Sequence, residues 1–314
     1  MGEYYKIVAF ILAGILGVCV GSFLNVVIYR VPLGMSLAKP DSHCPQCKYK
    51  LKWSDNIPVL SYIFLGGKCR NCKQHIPFRY TAVELVNMLA WLASVWLFWD
   101  ESKVFAGITA LVASLLICVF FIDLEHMLVF DRFVIMLAVL GVISIFFDPT
   151  YNWLSHVIGG VAGFGFLYGV HALFYYGFKK DALGGGDIKL TGAVGLLLGW
   201  ERLLLAIVIA SLSASVALVI ANRRAAEEES DEETSTATEE NENSPTATEE
   251  NTDGAGENAE ETAETTGETE AEETDENTVS AKEYPFAPFL CTGFWVALMF
   301  GARIITAYLS LFGL

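Results

Sequence analysis

Two aspartates stand where a carboxylate is expensive. Asp123 lies in Ile122-Asp123-Leu124-Glu125-His126, and Asp187 closes the run Gly184-Gly185-Gly186-Asp187, each at the edge of a long apolar segment. An ionisable group in such a place marks a working site by default. Glycines ahead of an acid let the backbone approach closely, so Gly184, Gly185 and Gly186 can set Asp187 against a bound strand. Two carboxylates held together can share one proton, leaving one as base and the other as acid near neutral pH. The chemistry this points to is peptide hydrolysis by an activated water, as in an aspartyl protease of the intramembrane type. Asp123, Glu125 and Asp131 all compete to be the partner of Asp187. Asp131 reads as a cap or first residue of the next helix, and Glu125 as a group facing headgroups or water. Asp123 sits at the membrane end of its segment, where a low dielectric acts most strongly. Lys189 reads either as an orienting group for substrate carbonyls or as a plain lysine at a helix start. No His-Glu-x-x-His or Gly-x-Ser-x-Gly signature occurs.

A second group of residues has metal-binding spacing. Cys44-x-x-Cys47 and Cys69-x-x-Cys72 are separated by 21 residues. Each pair presents two sulfurs from one tight turn, and the four thiolates suit a tetrahedral structural ion, zinc by ligand softness. His43 and His75 adjoin the pairs, but four thiolates already fill a tetrahedron. A disulfide reading conflicts with the cytoplasmic placement argued below, and a thioredoxin-like motif lacks a βαβ context. Cys19, Cys118 and Cys291 lie in apolar segments and read as small core residues.

These groups must be positioned by membrane helices. The chain has 314 residues, 54% of them hydrophobic, and the apolar ones cluster in windows long enough to cross a bilayer. The fold class is therefore an all-α polytopic membrane protein with about eight transmembrane helices and a four-cysteine loop. The spans are expected near 7–28, 81–99, 104–122, 132–147, 154–177, 188–199, 202–221 and 287–313. Asn25 reads as a polar helix–helix contact, and Gly159, Gly160 and Gly163 as helix packing. The domain order is a first helix (1–29), a zinc-binding loop (30–80), a protease core (81–224), an acidic insert (225–283) and a last helix (284–314).

Charge distribution sets the expected orientation. The net charge of −16 arises from residues 225–283, which hold 23 acids against Lys282 alone; the remainder carries 19 basic and 13 acidic side chains. No nucleic-acid partner follows from such a balance. The insert lacks the apolar surface needed to offset its ordering entropy and is expected to be a disordered linker. Arg and Lys crowd the 30–80 loop and recur at Arg132, Lys179, Lys180, Lys189, Arg223 and Arg224. The opposite loops show only Asp100, Glu101, Lys103, Asp148, Glu201 and Arg202. By the positive-inside rule the cysteine loop, both aspartates and the insert face the cytoplasm, and both termini lie outside.

Together the elements resemble the type IV prepilin peptidases, the leader peptidase/N-methyltransferases. The resemblance rests on GSFLNVVIYRVP after the first span, HCPQC with CRNC, PFRYTAVELVN at 77–87, IDLEHMLVFD at 122–131, GGGDIKL at 184–190 and PFAPFL at 285–290. The family pattern has Pro where Phe130 stands, which concerns a helix start, and it lacks the acidic insert. The resemblance implies that Asp123 and Asp187 are the catalytic pair and that Cys44, Cys47, Cys69 and Cys72 hold the metal. It further implies cleavage of a short basic leader from prepilin or pseudopilin precursors at the cytoplasmic face of the bacterial inner membrane. Methylation of the new N-terminus by S-adenosylmethionine is implied as well. Glu125, Asp131 and Asp181 are then expected contacts for the basic leader. The competing class is a transporter or assembly scaffold with proton-carrying aspartates, which leaves Gly-Gly-Gly-Asp beside a zinc loop unexplained.

Overall fold

In lipid a backbone must satisfy its own hydrogen bonds, so runs of about 20 apolar residues fold as helices. The computed structural model describes residues 2–149, 153–179, 184–242 and 285–311. They form α1 (Gly2–Arg30), α2 (Leu60–Phe64), α3 (Arg79–Phe98), α4 (Lys103–His126), α5 (Asp131–Ser144), α6 (Trp153–Phe178), α7 (Gly185–Leu198), α8 (Trp200–Glu242) and α9 (Ala287–Leu311). Six of these, α1, α3, α4, α6, α8 and α9, are long and apolar enough to cross a membrane. α5 and α7 occupy the two remaining expected segments but have only 14 residues each, about 21 Å of helix. α8 also departs from expectation. It continues past Arg224, where the sequence reading starts a disordered insert, to Glu242. The composition of that stretch explains both readings, since Ala and Glu are good helix formers yet offer nothing to a core. The remainder of the insert, from residue 243, lies outside the described residues.

α4 is the centre of the bundle. Its apolar side chains from Phe105 to Ile122 are mostly buried, against α3, α5 and α9. Two contacts around it need glycine. A Cβ on Gly159 of α6 would lie 2.4 Å from the carbonyl oxygen of Gly195 in α7, and a Cβ on Gly195 would lie 2.3 Å from that of Gly159. Here the backbones touch directly, the small-residue packing that helices use where lipid offers no hydrophobic drive. α1 meets α3 through polar contacts as expected of Asn25, whose Nδ2 donates to Tyr80 O at 2.9 Å. Asn87, fully buried in α3, donates to Gly17 O of α1 at 2.7 Å and accepts from Ser114 Oγ of α4 at 2.7 Å. One side chain thus ties three helices.

The loop between α1 and α3 is pinned at both ends. Arg30, buried at the end of α1, donates to the carbonyls of Ser36, Leu37 and Pro40 at 3.0, 3.2 and 2.6 Å. Buried Glu84 of α3 accepts the backbone N–H of Val59 at 2.7 Å. The main chain bends sharply there, with Val59 at φ +61°.

Candidate active site and metal centre

α4 delivers Asp123 to one end of the bundle. The helix stops four residues later, where Met127 takes a left-handed conformation (φ +52°) and returns its N–H to Asp123 O at 2.8 Å. Residues 127–130 run out without regular structure to the start of α5 at Asp131. Phe130, the position where proline is usual, has φ −79° and immediately precedes the helix. That φ is close to the value proline fixes, so the departure leaves the turn geometry unaltered.

α7 delivers Asp187 to the same end. Gly184 is its N-cap, and Gly185, Gly186 and Asp187 form its first turn. The three glycines do different work. A Cβ on Gly186 would come within 2.7 Å of Val129 Cβ, so this glycine lets α7 close onto the segment that follows Asp123. Gly185 faces open space, and a Cβ on Gly184 would make ordinary contact, 3.6 Å from Asp187 Oδ2.

The two carboxylates come together as buried groups. Asp123 and Asp187 are 5% and 8% exposed, and each interacts electrostatically with the other and with Cys291 of α9. Their hydrogen bonding differs. Asp123 Oδ2 accepts the backbone N–H of Ala287, the first residue of α9, at 3.1 Å. Asp187 Oδ1 is buried with no partner among the described residues. A buried acceptor aimed at no protein donor is suited to receive a water or a substrate group. Sequence reasoning marked the PFAPFL stretch that holds Ala287 but gave the residue no role, because a backbone N–H carries no side-chain signature.

The other expected site residues lie on the rim. Glu125 pairs with Arg79 of α3, whose guanidinium also stands over the Phe121 ring at 5.5 Å. Asp131 pairs with Lys189 at 2.8 Å, joining the start of α5 to α7. Neither acid is brought to Asp187, and each already has a cation of its own chain. Asp181 lies outside the described residues.

The cysteine loop contains two copies of one turn. His43 bridges Lys50 around Cys44 and Cys47, and Lys68 bridges His75 around Cys69 and Cys72. In each copy the first cysteine donates its N–H across the turn, Cys44 to Tyr49 O at 2.9 Å and Cys69 to Gln74 O at 2.8 Å. Lys48 and Lys73, just after the second cysteine, both take positive φ, +56° and +60°. Asp55, with a fully buried carboxylate, accepts Arg70 Nε at 2.8 Å and so links the segment between the turns to the second one.

The four sulfurs converge within 4.8 Å of one another. Cys44 Sγ is 3.9 Å from Cys72 Sγ, and Cys47 Sγ is 4.0 Å from Cys69 Sγ. Metal–sulfur bonds of about 2.3 Å in a tetrahedron set sulfurs roughly 3.8 Å apart, so the cluster fits an ion and is too open for disulfides. All four are free thiols. The Asn71 side chain, aided by the Tyr49 backbone, brings the Cys47 thiol down to about 6. Cys72 moves the other way, to about 11; a backbone hydrogen bond at Gln74 opposes this rise, which comes from burial and the neighbouring thiols. His43 turns its Nδ1 to Asp41 O at 2.9 Å, outside the sulfur cluster.

Comparison with known proteins gives the family of both regions. Residues 15–98, which include the cysteine loop, match the Bacterial Peptidase A24 N-terminal domain. Residues 110–219, which include both aspartates, match the Type IV leader peptidase family. A prepilin leader peptidase/N-methyltransferase of Pseudomonas aeruginosa is 30% identical over 329 aligned positions, covering 97% of this chain and 95% of that protein. The chain belongs to the type IV leader peptidase family. Proteins of the same name from Pectobacterium carotovorum and Vibrio cholerae are 34% and 35% identical, over 66% and 63% of this chain and 81% and 80% of theirs. No solved structure matches the chain. Membership makes it a multi-pass membrane protein with a peptidase domain built on α4–α8.

Proposed function

We propose that this leader peptidase family member is an aspartyl endopeptidase that removes the short basic leader of type IV prepilin-like precursors. Asp123 and Asp187 act as its catalytic pair. The observation that carries this reading is the burial of these two carboxylates together, at the ends of α4 and α7, with Asp187 Oδ1 left without a partner among the described residues. One ionised carboxylate takes a proton from water as its oxygen attacks the scissile carbonyl carbon. The protonated partner gives its proton to the carbonyl oxygen, forming a gem-diol. As the C–N bond breaks, the proton taken from water passes to the leaving amine. A diol proton returns to the other carboxylate, so the pair ends with the single proton it began with. Ala287 N–H fixes Asp123 throughout, and Gly185 leaves room for the substrate backbone.

The positive-inside bias supports a cytoplasmic position for this end of the bundle and the cysteine loop, and the family supports a bacterial inner membrane. α5 and α7, packed on one another, complete an eight-helix membrane domain. Residues 225–283 join the last two spans as a linker. The cysteine cluster holds zinc, a closed four-thiolate site with a structural role. The relatives' shared name extends the reading to N-methylation of the new N-terminus. S-adenosylmethionine would supply an electrophilic methyl group for that reaction. A cavity of about 470 Å³ lies at the far end of the bundle, lined in part by Arg202 and Arg303. The lining also includes Glu101, and Arg202 is already paired with Asp148, so no residue is assigned to the methyl donor.

The test is mass spectrometry of a prepilin N-terminus after co-expression. The wild-type chain should yield a shortened, methylated N-terminus, and Asp123→Asn or Asp187→Asn should leave the leader attached. An intact leader with the wild-type chain would refute the reading.

A further inference from the structure

The far end of the bundle holds a group of buried polar and charged side chains that the catalytic reading does not use. Asp148 follows α5, His156 lies in the first turn of α6 and Arg202 in the first turn of α8. All three side chains are essentially inaccessible, at 0–2% exposure. Arg202 pairs with Asp148, and His156 Nε2 stands 3.7 Å from the same carboxylate oxygen. Desolvating such groups inside a membrane protein is costly, and sequences retain them where they do something specific.

What they hold is the last turn of α7. His156 Nδ1 is 2.9 Å from Leu196 O, and Arg202 Nε donates to Leu198 O at 2.7 Å. The last carbonyls of a helix lack intrahelical partners, and cationic side chains near them are favourable. α7 is short, and Asp187 sits in its first turn, about 17 Å from Leu198 at 1.5 Å per residue. Along α6 it rests on the bare backbone of Gly159 and Gly195. Leu196 seats over Gly160 and Phe164 over Gly192, apolar contacts that complement the polar ones at the last turn.

We propose that Asp148, His156 and Arg202 form an anchor for the C-terminal end of α7 whose function is to set the axial position of Asp187 against Asp123. They are positioning residues for the peptidase reaction, remote from the substrate. α7 is a rigid rod, so a shift of its anchored end is delivered to the carboxylate at the other. A misplacement of about 1 Å is enough to reduce turnover roughly a hundred-fold. This inference rests on the peptidase reading.

The experiment uses the purified full-length chain in detergent with a prepilin substrate, following kcat, KM and thermal unfolding. The double variant Asp148→Leu/Arg202→Met replaces the ion pair with apolar groups and leaves no lone buried charge. It should unfold near the wild-type temperature, keep KM within about two-fold and lose kcat by about ten-fold or more. His156→Leu should lower kcat in the same way, and His156→Gln, which keeps a donor for Leu196 O, should recover most of it. A well-folded double variant with wild-type kcat would overturn the proposal, as would loss of activity only in proportion to lost folded protein. Hydrogen exchange of residues 185–190 gives a readout independent of cleavage: it should quicken in the double variant and in His156→Leu. Unchanged exchange in a folded variant would also overturn the anchor. A wild-type chain that fails to cut prepilin would refute the peptidase reading while leaving the exchange test standing.

Discussion

Asp123 and Ala287 are 164 positions apart in sequence, and the backbone N–H of Ala287 donates to Asp123 Oδ2 at 3.1 Å. The start of α9 is therefore part of the candidate active site, although it contributes no side chain to the contact. Ala287→Pro would remove the donor and keep the residue apolar. A lost hydrogen bond to a charged group is worth about 1.5–3 kcal/mol, so kcat on prepilin should fall about 10–100-fold. Ala287→Gly should retain the donor and most of the activity. Equal activity in both variants would show that the contact does not matter.

The carboxylates themselves should be indispensable. Asp123→Ala and Asp187→Ala should each lower leader removal by at least about a hundred-fold, as expected when a general acid or base is lost, with normal membrane insertion. Asp131→Ala breaks only the exposed pair with Lys189, worth less than about 1 kcal/mol, and should retain much of the activity. The check is a cleavage assay on membranes with matched protein levels.

Gly185 and Gly186 are neighbours with opposite tolerances. Gly186→Ala forces a Cβ to within 2.7 Å of Val129 Cβ, and overpacking of this kind costs about 1–3 kcal/mol. Gly185→Ala meets nothing within 4 Å and should leave thermal stability in detergent unchanged. A Gly186→Ala protein as stable as wild type would mean that α7 does not close on Val129 as described.

The metal centre should hold about one zinc per chain by elemental analysis. Cys44→Ser or Cys72→Ser should release the ion and make residues 40–76 sensitive to limited proteolysis. Metal-free protein with cystine bridges would contradict the site and its cytoplasmic placement together.

Asp55 gives that loop a dependence on pH. The Arg70 hydrogen bond, assisted by the Lys52 backbone, holds the Asp55 carboxyl below its usual 3.8. A carboxylate with a lowered folded value stabilises the fold above its unfolded value and loses that contribution as pH falls through the folded one. In metal-free protein, Arg70→Gln should therefore loosen the loop at neutral pH. Its difference from wild type should fade as pH drops below about 3.8. A gap that persisted unchanged at pH 2.5 would exclude the pair as its source.

The outline of the fold was legible because apolar runs in lipid permit little besides helices: six long apolar helices stand where hydropathy marks them, and the two remaining segments hold the 14-residue α5 and α7. The two acids were legible by residue type and by the glycines before Asp187. Asp123 is preferred over Glu125 and Asp131 from its place at the membrane end of its segment and from the family resemblance; the structure adds that the latter two are paired with Arg79 and Lys189. Asp148 and Arg202 read as outer-loop charges because they adjoin breaks between apolar runs; only the packing of α5, α6 and α8 reveals that both are buried. The continuation of α8 to Glu242 was missed for a different reason. Low hydropathy argues against a core and says nothing against a solvated helix.

Both aspartates, the four cysteines and the anchor beneath α7 all precede residue 225, whereas α9 adds a backbone N–H and a packing face in which Gly293 meets Ala206 of α8. The covalent link between α8 and α9 thus separates no two of the side chains proposed to be catalytic. In quaternary terms, α9 is a tethered subunit that completes an otherwise intact catalytic chain. Residues 1–242 and 285–314, expressed as two polypeptides, should reassemble in the bilayer and cut prepilin, and the first piece alone should be inactive. A fully active first piece would show that α9 is an accessory rather than a component of the enzyme.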